Sequence, residues 1–181
     1  MLFTQLNLHK AKLASIDLHD KVQGRHDIAL ITEPYLYNNK IVGLPQGYMS
    51  VVPEIEEGSG QARAVILAPR SFNMTRLDNL CNKDCAVAQL STQHGTLIVA
   101  SVYLDINLTP CPDWLDRLVW YTDNKNFRLV LGVDSNAHSQ FYGPDTNRRG
   151  EAFEEMILAH GLLVENTGTC LLYTSPSPRD S

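Results

Sequence analysis

The stretch Leu129–His138, LVLGVDSNAH, decides how the rest of the chain is read. From Phe127 to Leu131 the residues alternate and then run apolar, which predicts a buried strand. Gly132 breaks the run, and Asp134, Asn136 and His138 follow at alternate positions. A period of two sets these three on one side of an extended segment just past the strand's carboxyl end. Two readings fit that pattern: polar groups aimed into a cleft, or an ordinary Asp/Asn/Ser turn. Residues elsewhere in the chain must decide.

The chain has 181 residues and is 44% hydrophobic, which suits one domain with a sizeable core. No apolar run approaches the roughly 20 residues of a membrane span, so no membrane partner is expected. Met1 leads straight into LFTQLNLHK, without a basic stretch before a long apolar core, so an intracellular location, nuclear or cytoplasmic, is expected rather than secretion. The formal charge of −5 advertises no global attraction to nucleic acid. Cys81, Cys85, Cys111 and Cys170 lack the paired spacing of a zinc site and are expected to be free thiols.

In chain order, Leu2–Leu8 predicts a first strand ending near Asn7, followed by a helix from about His9 to Val22 that stops at Gly24. Ile28–Ile31 predicts a strand buried on both faces, with Thr32 and Glu33 at its end and Pro34 barring continuation. Tyr35–Gly47 reads as loop, with Asn38-Asn39 as a turn signal. Strands are expected at Tyr48–Val52 and Ala62–Leu67, with a hairpin tip at Glu54–Gly60. Ala86–Leu90 and Thr96–Tyr103 read as strands joined at His94-Gly95. A helix over Asp113–Tyr121, capped by Asp113, should bury Trp114, Leu118 and Tyr121. Ser139–Arg149 reads as loop, Gly150–His160 as a helix closed by Gly161, and Leu162–Val164 as the start of one more strand. Several strands in succession without a helix after each predict a two-sheet α/β sandwich with helices outside. The Ser/Pro-rich end CLLYTSPSPRDS has no periodicity, so residues 170–181 are set aside as a non-native, adapter-like tail.

Four strand ends carry polar residues: Asn7, Glu33, Tyr103, and Asp134 with Asn136. Strand carboxyl ends are where layered α/β proteins assemble sites. The segments QLNLHK, ITEPY, SVYLD, GVDSNAHS and NRRG resemble the motifs of the endonuclease/exonuclease/phosphatase family. They are most similar to the apurinic-type endonuclease domain that opens the second reading frame of non-LTR retrotransposons. The resemblance covers residues 1–169. It implies a four-layer α/β sandwich of two mixed sheets between helices, and a divalent-metal phosphodiesterase that nicks double-stranded DNA for insertion. It also implies a downstream reverse-transcriptase region in the parent protein.

By that resemblance, Glu33 with Asn7 would hold Mg²⁺, with Mn²⁺ as the alternative. Asp134 would orient and deprotonate water, Asn136 would donate to phosphoryl oxygens, and Tyr103 would point its hydroxyl at the phosphate. Arg148 and Arg149 could grip a DNA backbone or be a solvated loop pair. His138 is a phosphate donor or a plain loop residue. A catalytically dead nucleic-acid-binding fragment and a metal-dependent phosphatase of the same fold are the competing readings.

The family ends with a further aspartate segment and a Ser-Asp-His motif on closing strands, and neither occurs here. The chain is therefore expected to be C-terminally truncated, inactive and marginally folded. Each 100 Å² of apolar surface left wet forfeits about 2.5 kcal/mol, against a whole margin of about 5–15 kcal/mol. Expressing residues 1–181 beside a version extended with the closing segment tests this expectation. Cooperative thermal unfolding with Mg²⁺-dependent nicking by the shorter chain overturns it.

Overall fold

The computed structural model describes residues 1–22, 27–140 and 145–165. They fall into two compact units, Met1–Asn136 and the residues from Ala137 onward. In the first unit, β1 (Leu2–Asn7) is followed by α1 (Lys12–Val22) and β2 (Asp27–Thr32). Then come β3 (Leu36–Tyr37), β4 (Lys40–Ile41), β5 (Tyr48–Val51), β6 (Ala64–Pro69) and β7 (Thr75–Arg76). β8 (Cys85–Thr92), β9 (Gly95–Tyr103), α2 (Asp113–Asn124) and β10 (Arg128–Asp134) complete it.

Two four-stranded mixed sheets carry the fold, in the orders β1-β2-β6-β5 and β10-β9-β8-β7. Each has one parallel pair, β1 with β2 and β10 with β9, and is otherwise antiparallel. Alternate residues explain why the sheets face each other. Ile28, Leu30, Ile66 and Ala68 of the first pack with Ala86, Ala88, Leu90, Leu97 and Val99 of the second in one apolar cluster. The other face of the first sheet, Ala29, Ile31, Val65 and Leu67, packs against Leu18 of α1 and against Leu36, Ile41 and Tyr48. On the second sheet, α2 contacts β10 and buries Leu115, Leu118 and Val119. The resulting order of layers is helix, sheet, sheet, helix, the four-layer sandwich that the resemblance implied.

Most strands lie within a residue or two of their expected places, and the departures have local causes. The first helix begins at Lys12 rather than His9, because His9 and Lys10 take left-handed backbone (φ 47° and 55°) that no helix contains. Within the expected loop Tyr35–Gly47, β3 and β4 form a small hairpin. Asn38 and Asn39, both at positive φ, turn it in the way a two-residue hairpin requires. Asp113 does not cap α2: Pro112 holds the cap position without a side-chain bond. The buried face of α2 is Leu115, Leu118, Val119 and Thr122, while Trp114 and Tyr121 are half-buried. Cys81, Cys85 and Cys111 are free thiols, as expected. Among the described residues, no helix is long and apolar enough to cross a membrane.

β10 departs most. It runs through Gly132 to Asp134 and among the described residues is the terminal strand of its sheet, with Leu129, Val130 and Leu131 only half-buried. Gly132 does not break the strand, because its role is close approach. A Cβ there would lie 2.6 Å from Leu30 Cδ1 and 2.7 Å from Leu30 Cβ. Leu30 is 2% exposed and has nowhere to retreat. Nor does the alternation continue past the strand: Asn136 has φ 48°, so Asp134, Asn136 and His138 do not share one side of an extended segment.

In the second unit α3 (Arg148–Ala159) is capped by Asn147, whose side chain accepts from Gly150 N at 2.7 Å. The helix thus starts two residues before Gly150. Gly150 is needed for contact instead, since a Cβ would lie 1.7 Å from the His138 carbonyl oxygen. Gly161, at φ 61°, ends the helix as expected. Its N–H donates to Leu158 O and that of Leu162 to Ile157 O, a Schellman closure. No strand forms over Leu162–Glu165, where the Leu162 N–H is already committed to the helix end. The expected helix stop at Gly24, the Tyr142-Gly143-Pro144 turn and residues 166–181 lie outside the described residues.

Gly132→Ala is expected to destabilise the chain by about 1–3 kcal/mol, the usual cost of overpacking a filled core. Urea unfolding should show a lower midpoint at unchanged slope.

Candidate active site

Parallel pairing of β1 with β2 sets Asn7 opposite Thr32, one residue before Glu33. Parallel pairing of β10 with β9 likewise sets Asp134 opposite Tyr103. The carboxyl ends of these four strands therefore meet at one end of the sandwich. A hydrogen bond joins the two sheets there: Asn7 Nδ2 donates to Asp134 Oδ2 at 2.6 Å across 127 residues of chain. Thr32 Oγ1 donates to the same oxygen at 3.2 Å. Deeper in the sandwich, the buried Ser101 hydroxyl donates to Ile31 O at 2.9 Å, tying β9 to β2 behind the site. Among the described residues no hydrogen bond falls on Asp134 Oδ1, so the carboxylate is held by one oxygen and presents the other.

Glu33 sits at φ 48°, a left-handed conformation that costs a residue with a Cβ roughly 1–2 kcal/mol. Two main-chain bonds enforce it: Glu33 N donates to Arg63 O at 2.8 Å, and Lys10 N donates to Glu33 O at 2.8 Å. Its carboxylate is one-fifth exposed and lies 3.5 Å from His9 Nδ1. Asn7 Oδ1 accepts from His9 N at 2.7 Å, which fixes the amide so that Nδ2 faces Asp134. Asn136 Nδ2 donates to Leu104 O, the residue after Tyr103, at 3.0 Å. Burial, and then the charge of Glu33, push the Tyr103 phenol above its ordinary value, against smaller opposing effects of Asn136 and Arg63. Tyr103 is thus a protonated donor at neutral pH.

The same arrangement of strands and layers recurs in solved structures. The endonuclease domain of TRAS1, a telomere-specific non-LTR retrotransposon, is similar with a TM-score of 0.73 at 24% identity. That match covers 93% of this chain and 74% of that one. AP endonuclease LMAP from Leishmania major is similar with a TM-score of 0.61 at 13% identity, over 87% of this chain and 66% of that one. The fold is that of the apurinic-type endonucleases. No protein-family model matches the sequence, and no curated protein matches it.

Within this endonuclease fold, Asn7, Glu33, Tyr103, Asp134 and Asn136 come together at the strand ends. His138, Arg148 and Arg149 belong to the second unit. His138 N donates to Asn147 Oδ1 at 3.3 Å, and its carbonyl accepts from Asn147 N at 2.9 Å, so the His138 loop is pinned to the start of α3. Arg148 and Arg149 form the first turn of that helix rather than a loop. Arg148 is exposed and Arg149 half-buried.

Among the described residues, no group of three or more His, Cys, Asp or Glu could hold a metal ion by itself. The donors on hand are oxygens, the Glu33 carboxylate and Asn7 Oδ1, at an end open to water. That set fits a hard cation that keeps several waters of its own, as Mg²⁺ does, and does not fit zinc.

Sequence reasoning missed the residues that brace this end. Thr32 was placed only as a strand end. Arg63 Nε and Nη2 donate to Asp84 Oδ1 and Oδ2 at 2.5 and 2.7 Å, and Nη1 donates to Asp105 Oδ2 at 2.6 Å. The guanidinium lies 4.7 Å from the centroid of the Tyr103 ring. Its bonds to Asp84, chiefly, raise the Arg63 pKa further, and the bond from Arg63 lowers that of Asp105 to about 2. The available signal was slight: one arginine directly before the apolar run AVILA.

Proposed function

We propose that the protein is a divalent-metal phosphodiesterase that nicks double-stranded DNA, of the kind found in non-LTR retrotransposon endonuclease domains. One observation carries the reading: Asn7, Glu33, Tyr103, Asp134 and Asn136, from four separate strands, converge at one end of a sandwich shared with two solved endonucleases. A cation held by Glu33 and Asn7 would neutralise the charge that a phosphodiester gains in its transition state. Asp134, fixed through Oδ2, takes a proton from the attacking water at Oδ1. Water adds to phosphorus, the bond to the 3′ oxygen breaks, and that oxygen takes a proton from solvent water and leaves as a hydroxyl. Tyr103 and Asn136 each donate to a phosphoryl oxygen. In this reading Arg148 and Arg149, in the first turn of α3, contact the DNA backbone.

Two substitutions test the assignment in a version that carries the family's closing segment. Asp134→Ala is expected to lower plasmid nicking by about 10²- to 10⁴-fold, the range for losing a general base, while unfolding stays cooperative with a midpoint lowered by the lost bonds from Asn7 and Thr32. Near-normal nicking would remove Asp134 from the chemistry. Glu33→Gln keeps the side chain's size and removes the charge that a hard cation prefers. A Mg²⁺ titration of nicking should show its midpoint moved to higher concentration. An unmoved midpoint makes Glu33 a rim residue.

A further inference from the structure

Arg63 is an unusual residue to find at the entrance of a strand whose every residue is buried. Only 19% of its side chain is exposed, against 8% for Asp84 and 20% for Asp105. Taking a guanidinium this far out of water is costly and needs good geometry in return. Here the fork of Asp84 and the single bond to Asp105 supply it. Two carboxylates share one cation, so the cluster carries net negative charge and repels a phosphate. Gripping the substrate is therefore not its use.

Its contacts lie elsewhere. The guanidinium carbon lies over the Tyr103 ring, 4.7 Å from its centroid, and Tyr103 N donates to Asp84 O at 2.8 Å. The Arg63 carbonyl accepts the Glu33 N–H, the bond that holds Glu33 at positive φ, while Arg63 N donates to Lys83 O at 2.5 Å. One residue of the first sheet thus grasps two carboxylates beside β8 and β9 of the second, and touches a candidate site residue on each side. We propose that Arg63, held by Asp84 and Asp105, is a positioning residue that fixes the Tyr103 ring and the Glu33 main chain for the reaction. The proposal rests on the nuclease reading of those two residues. A lysine cannot replace it, because a point charge can neither stack nor bond in a fork.

The test uses residues 1–181 with 3-fluorotyrosine placed only at Tyr103, read by fluorine NMR beside the methyl signals of Ile66 and Val99 in the inter-sheet core. The fluorine makes the two ring orientations distinct. The parent should show one dominant orientation. Arg63→Met should populate both and move the signal toward its unfolded position, while the core methyls stay in place. Arg63→Lys keeps the charge and covers the case in which the Met variant does not fold; it should show the same fluorine change. An unchanged fluorine spectrum in the folded variant overturns the proposal. So does a change that the core methyls share, since that marks general loosening. None of these readouts depends on nicking. Absence of nicking by the version that carries the closing segment would sink the nuclease reading without touching the fluorine result, and an unmoved fluorine signal removes the clasp alone.

Discussion

The bond from Asn7 to Asp134 closes the candidate site, and much of the structure serves to make it possible. A hydrogen bond to a carboxylate is worth about 1.5–3 kcal/mol net, too little to draw together strands 127 residues apart in sequence. Burial of the two sheet faces must do that first. The cluster around Leu30, Ile66, Ala88 and Val99 brings the sheets to packing distance. Parallel pairing then sets the register that puts Asn7 beside Thr32 and Asp134 beside Tyr103. The polar contact selects an orientation that apolar packing has already made available.

Close approach at two points is what tunes that end of the sandwich. Gly132 lets β10 lie against Leu30 with no side chain between them. Ser101 fills the equivalent place on β9 and uses its hydroxyl to satisfy the Ile31 carbonyl. A larger residue at either position would separate β1 from β10, and Asp134 would lose the donors that hold Oδ2. Packing and chemistry are coupled here through atoms that never touch a substrate.

The clasp around Arg63 adds a different kind of constraint. Apolar packing tolerates small slides, because a methyl group has no preferred direction. A guanidinium bonded to two carboxylates does not, since both the fork and the stack are directional. Glu33 keeps its left-handed backbone in this setting, which is where strain is stored when surrounding structure over-determines a conformation.

The sequence alone determined that β2 is buried on both faces, through its run of apolar residues, and placed β6 to within two residues. It also determined the order of polar residues at the strand ends, and the helix Arg148–Ala159 to within two residues, through Gly161 and the Phe153/Met156/Ile157 spacing. Tertiary structure decided the rest. Periodicity reports which face of a segment is apolar and is silent on which segment pairs with which, so β10 read as a buried strand and is, among the described residues, a half-buried terminal one. Asn136 broke an apparent alternation at φ 48°, with its side chain bonded to Leu104, far off in sequence. Arg63 was invisible for the same reason. Its partners lie 21 and 42 residues away, and an ion pair leaves no periodic trace in a sequence until folding brings its members together.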